Sequence, residues 1–145
     1  MPATTIKVGN YAISDCAVSV KVSDEFTEIA DMTEMNLAIE GNTDEWFSIK
    51  DKGWGNALMT AKKVNGSFAG KRCIGDAGND FLFNKAFENP SACVADWKID
   101  FPDGSSLEYT STIDITDLMG ATENAAPLNG NFIGKGKPKF TKAAA

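Results

Sequence analysis

The sequence predicts one mostly-β domain, all-β or α+β in class, with a single α-helix. Three observations carry that prediction. The order Ala17-Val18-Ser19-Val20-Lys21-Val22-Ser23 alternates, which puts Val18, Val20 and Val22 on one face of a strand. Two further alternating runs flank Pro102-Asp103-Gly104, the composition of a tight turn between antiparallel strands. Only 78–88 spaces its apolar residues helically, with Phe83 and Phe87 four apart and Leu82 and Ala86 four apart.

Taken in order, residues 1–12 begin Thr- and Ala-rich, hold few apolar anchors and read as an arm. The strand over 17–23 follows. Residues 24–32 place Phe26 and Ile29 among acids, as a loop or a short helical turn would. In 33–40, Met35, Leu37 and Ile39 alternate with polar neighbours, giving a strand that Gly41-Asn42 ends. Residues 43–56 are unusual: Trp46, Phe47, Ile49 and Trp54 are interleaved with Asp44, Glu45, Lys50, Asp51 and Lys52. Such aromatics pin a loop to its own core or dock on a partner, and burial is the commoner fate of tryptophan.

Residues 57–72 admit two readings. Asn65-Gly66 has the composition of a type I′ hairpin turn, which local rules favour. Alternatively a period of two continues through Val64, Gly66, Phe68 and Gly70 as one long strand, with glycine where another backbone approaches. Asp76 or Asn79 caps the predicted helix, and Asn89-Pro90 stops it. Strands over 93–101 and 105–114 form the clearest hairpin, 115–126 is a connection, and 129–136 is a final strand. The domain thus spans 13–137, and 138–145 form a basic tail.

Composition excludes much chemistry. The 145 residues include 20 Asp+Glu and 14 Lys+Arg but no histidine, for a net charge of −6. Without histidine there is no Ser-His-Asp triad, no Cys-His dyad and no imidazole zinc ligand. The last eleven residues hold Lys135, Lys137, Lys139 and Lys142 and no acid, leaving a body charge of −10. That body repels nucleic acid, whose affinity comes mainly from Lys and Arg. Cys16, Cys73 and Cys93 are odd in number and lack C-x-x-C spacing, so they read as buried free thiols. The first residues lack a basic segment followed by an apolar one, so no signal peptide is expected, and no apolar run approaches the ~18 residues that suggest a membrane span.

No catalytic or metal set emerges. Asp76-Ala-Gly-Asn-Asp80 has acids like a calcium loop, but Phe81 stands where that loop needs glycine and Phe87 where it needs glutamate. Asp24, Glu25, Glu28, Asp31 and Glu34 crowd one segment and read as a solvated face rather than a hydrolytic pair. Lys135 and Lys137 alternate with Gly134 and Gly136 but lack phosphate-loop spacing. No cofactor is expected. What remains is surface: a basic tail on an acidic body allows head-to-tail contact between copies, and repeated heterologous contacts build rings or filaments.

Three stretches together resemble the tail tube, or major tail, proteins of long-tailed bacteriophages. One runs from Gly53-Trp54-Gly55 into Gly70-Lys71-Arg72-Cys73-Ile74-Gly75-Asp76-Ala77-Gly78-Asn79-Asp80. Another is the hairpin of 97–101 and 107–115 around Pro102-Asp103-Gly104. The last is Leu128-Asn-Gly-Asn-Phe-Ile-Gly-Lys-Gly-Lys-Pro138.

The resemblance implies a two-sheet, β-sandwich-like fold with the helix flanking the sheets, and one strand through 64–72. It implies hexameric rings stacked into a tube, an acidic lumen through which DNA slides, and location in the virion. Tape measure, tail terminator and distal tail or baseplate proteins are its implied partners. Trp46, Phe47 and Trp54 would lie on a long loop reaching a neighbour, and Lys135, Lys137 and Lys139 would face another copy. The alternatives are the inner tube of a contractile tail or injection particle, and a small carbohydrate-binding module using Trp46, Trp54 and Trp97.

Overall fold

The computed structural model describes residues 9–142. Most of the expected N-terminal arm and the last three residues of the expected tail lie outside these. Apart from two short 3-10 turns, eight strands and one α-helix follow among these residues in the order β1 (Ala17–Val22), β2 (Glu25–Glu28), β3 (Met32–Phe47), β4 (Gly55–Gly70), α1 (Ala77–Lys85), β5 (Val94–Asp100), β6 (Ser106–Asp117), β7 (Asn129–Gly134) and β8 (Lys139–Thr141).

The strands form one antiparallel sheet in the order β2-β1-β5-β6-β7-β4-β3, with β8 added to β6. The two layers implied by the resemblance are therefore parts of one continuous, strongly curled sheet. In a flat sheet β5 and β4, three spacings apart, would be separated by about 14 Å. Instead the rings of Trp97 on β5 and Phe68 on β4 lie 5.5 Å apart. The curl also brings Met35 and Leu37 of β3 opposite Val18 of β1 and Ile99 of β5, across a cleft of ≈ 260 Å³.

Inside the curl sits an aromatic core. Trp97 is fully buried, stacked on Tyr109 at 6.2 Å and tilted against Phe132 at 5.7 Å. Its indole N–H donates to Ser111 Oγ at 2.7 Å, which satisfies both polar atoms. The Tyr109 hydroxyl is buried with no hydrogen-bond partner among the described residues, and burial pushes its pKa far up. Tyr109→Phe removes an unsatisfied polar atom and keeps the ring. Urea unfolding should show it to be as stable as the native chain, or more stable by about 1 kcal/mol.

The helix is held by the residues that mark its start in the sequence. Asp76 is the cap: its carboxylate accepts from Asn79 N–H at 3.0 Å and from Ala30 N–H at 3.1 Å. Asn79, nearly fully buried, donates to the carbonyls of Ala30 and Lys71 and accepts from Cys73 N–H and Arg72. Arg72 also pairs with Asp80 at 2.6 Å. The Gly-Asp-x-x-Asn-Asp sequence is thus a clamp joining the end of β4, the β2–β3 turn and the helix. Leu82 then enters the core, so the flanking helix also closes it.

Several expectations are corrected. Residues 24–32 hold strand β2, because Ser23 and Asp24 both take positive φ (50° and 68°) and close a two-residue hairpin with Val22 opposite Glu25. Gly41-Asn42 does not end β3; the register shifts between Asn42 and Thr43, and the strand continues. Asn65-Gly66 is not a turn but lies within β4. At Gly66 an added Cβ would stand 1.9 Å from the Asn36 carbonyl oxygen, so close backbone approach explains the glycine. Residues 139–141 are not free tail, because they pair with Ser106, Leu107 and Glu108 of β6. The three cysteines are free but only half-buried.

The projecting hairpin and the basic rim

Strands β3 and β4 outrun the body. Beyond Val64, which is buried, residues 40–63 are exposed on both faces apart from the half-buried Ser48. Nine residues separate Val64 from Gly55, so the arm reaches about 30 Å from its base. The expected long loop is a strand hairpin with a short tip. Lys52 (φ 58°) and Gly53 (φ 85°) turn the chain there, and Gly53 N–H donates to the Ser48 carbonyl at 3.0 Å. Asn56 Nδ2 ties the tip to Asp51 at 2.7 Å.

An isolated two-stranded hairpin is marginal in water, and this one exposes apolar rings. Trp46 is 44 % exposed, Phe47 79 % and Trp54 78 %, and Ile49 at the tip is 95 % exposed. The own-core packing that is commoner for tryptophan does not occur at either Trp46 or Trp54. Lower on the arm Leu58 and Met59, which the sequence reading did not single out, are also exposed, as is Ile39 of the expected strand face. Ile39 continues the inward face of Met35 and Leu37, but lies beyond the rim of the body. In addition β3 ends the sheet order, so one edge of a 16-residue strand has no neighbour among the described residues.

The lysines lie elsewhere. Lys135 N–H donates to the Thr110 carbonyl at 2.7 Å, Gly136 turns with φ 82°, and Lys139 sits across from Glu108. Lys135, Lys137 and Lys139 line a shallow cleft with Lys21, Asp96 and Glu108. Lys137 also borders the arm base beside Lys62 and Lys63. The structure therefore groups Trp46, Phe47 and Trp54 at the arm tip and the three lysines near its base, as two surfaces.

Two of the three thiols are held toward the neutral form. Burial, followed by the charge of Asp15, raises the Cys16 thiol pKa; burial, followed by hydrogen bonding and charge from Asp31, raises that of Cys73. Both shifts disfavour the reactive thiolate. Among the described residues no group of three or more His, Cys, Asp or Glu side chains could hold a metal, and no helix is long and apolar enough to cross a membrane. Trp97 is committed to the core, which removes one of the three tryptophans from any sugar-binding platform.

A chain in the tail of an empty gene transfer agent (GTA) particle, computed with helical refinement and C6 symmetry, superposes with a TM-score of 0.73. It is 19 % identical over 92 % of this chain and 100 % of its own length. This chain has the fold of a GTA tail chain. A chain from the virion of the native gene transfer agent particle matches equally, with TM-score 0.73, 18 % identity and the same coverage. No family model and no curated protein matches the sequence. The shared fold covers 92 % of this chain and the full length of both neighbours.

Proposed function

We propose that the protein is a structural subunit of a bacteriophage-type tail tube that assembles with itself into stacked six-membered rings. DNA passes through the lumen without sequence-specific contact, and the protein works in the virion. The exposed apolar hairpin carries this reading, because an arm that buries nothing on its own body requires a partner to hold it. The tail-chain fold supports the reading, as does the acidic body, which a sliding duplex does not stick to. Tape measure, terminator and distal tail proteins are the further partners it implies. No enzyme activity is needed.

In this reading Trp46, Phe47 and Trp54 anchor one subunit on another, and buried aromatic anchors carry much of an interface's energy. Trp54→Asp with Phe47→Asp should leave the monomer's thermal unfolding unchanged, since both rings are largely exposed. Sedimentation should show loss of large assemblies, with the critical concentration raised at least tenfold. Assembly at the native concentration would refute the anchor role.

A further inference from the structure

Two surfaces not yet assigned a role lie along β4, one beside Val64 and one at its C-terminal end. At the arm base, Ile39, Val64 and Pro138 line a cleft of ≈ 560 Å³ walled by Lys62, Lys63 and Lys137. Among the described residues nothing fills its apolar side, and Ile39 stays 65 % exposed. Only Lys63 of these lysines has an ion pair among the described residues, with Glu40 at 3.5 Å.

At the C-terminal end of β4, six residues or about 20 Å from Val64, the β6–β7 connection runs antiparallel beside the chain. It is tied down by the Lys71–Pro127 bridge and by Arg72 N–H donating to the Ala126 carbonyl at 2.8 Å. Its outer part presents Met119, 85 % exposed, between Asp117 and Glu123.

We propose that the cleft at Ile39, Val64 and Pro138 receives the 117–123 segment of a second copy. Met119 fills the apolar side, and Asp117 and Glu123 face Lys62 and Lys137. The proposal rests on the self-assembly reading and specifies which faces meet. Charge complementarity chooses the occupant: an unfilled basic apolar cleft and an exposed acidic apolar loop occur on the same chain. An unbranched methionine adapts to an irregular cleft. The donor connection is anchored at the end of β4 about 20 Å from the receiver, and among the described residues the chain does not fill its own cleft. Each copy offers one of each, and such heterologous contacts propagate from copy to copy.

The test uses two full-length variants. Lys62→Glu with Lys137→Glu reverses the receiver; Asp117→Lys with Glu123→Lys reverses the donor. Each alone should raise the critical concentration for assembly at least tenfold, while an equimolar mixture assembles near the native concentration. Only unlike copies then match, so the product should contain both in equal amounts. Met119→Asp, on an exposed loop, should weaken assembly with unchanged circular dichroism. Native-like assembly of either charge variant alone, or no recovery in the mixture, would overturn this contact while leaving the tube reading intact. A native protein that never assembles would overturn both.

Discussion

Joining Glu40 to Lys63 through an Asn-Gly turn in place of residues 41–62 should yield a folded monomer that no longer assembles. Glu40 and Lys63 are opposite each other in the register and form an ion pair, so a two-residue turn can close the shortened hairpin there. The excised residues are exposed except Ser48, so their loss removes little core burial. The unfolding free energy should change by less than about 1 kcal/mol. What disappears is the apolar surface of Trp46, Phe47, Ile49, Trp54, Leu58 and Met59. Size-exclusion chromatography should show one monomer peak at concentrations where the native chain forms large species. Long assemblies from the shortened chain would show that the arm does not hold copies together.

Trp97→Ala should have the opposite profile. It empties the centre of the curl, where Trp97 touches Phe68, Tyr109 and Phe132 and bonds Ser111. Truncating a buried tryptophan costs about 3–5 kcal/mol, a large share of the 5–15 kcal/mol that keeps a domain folded. The variant should unfold at much lower urea and lose assembly only because it is unfolded. Trp97→Phe keeps a ring but leaves the Ser111 hydroxyl without its donor, so its loss should be intermediate. Equal stability of Trp97→Ala and the native chain would contradict the core described above. Together with the arm deletion, it separates folding from assembly.

The parts of the fold legible in sequence are those whose alternation faces a core. In β5 and β6, Trp97, Ile99, Tyr109 and Ile113 point inward and the Pro-Asp-Gly turn joins the strands, so the hairpin is readable from residue order. The helix is readable because Asp76 must cap it. The outer half of β3–β4 was not, because a strand exposed on both faces has no burial to impose a pattern. There Gly41-Asn42 reads as a stop although it adjoins a register shift. Strand β2 was missed because Ser-Asp seldom takes two positive φ values in succession.

The candidate surfaces divide in the same way. Aromatics among charges pointed to Trp46, Phe47 and Trp54, and the local lysine excess pointed to Lys135, Lys137 and Lys139. The apolar cleft beside Lys137 depends on β4, β3 and the chain after β7 meeting in space, which no local pattern records. The acid excess is sharpened too. Glu28, Asp31, Glu34 and Asp76 border a groove at the start of β3, while Lys62, Lys63 and Lys137 stand at the arm base. Acidic and basic side chains thus gather on different parts of the subunit.

Electron microscopy of the purified full-length protein at high concentration, over a range of salt, tests self-assembly into a tube most directly. The account predicts hollow tubes whose end views have six-fold symmetry. Monomers alone under every condition would contradict it.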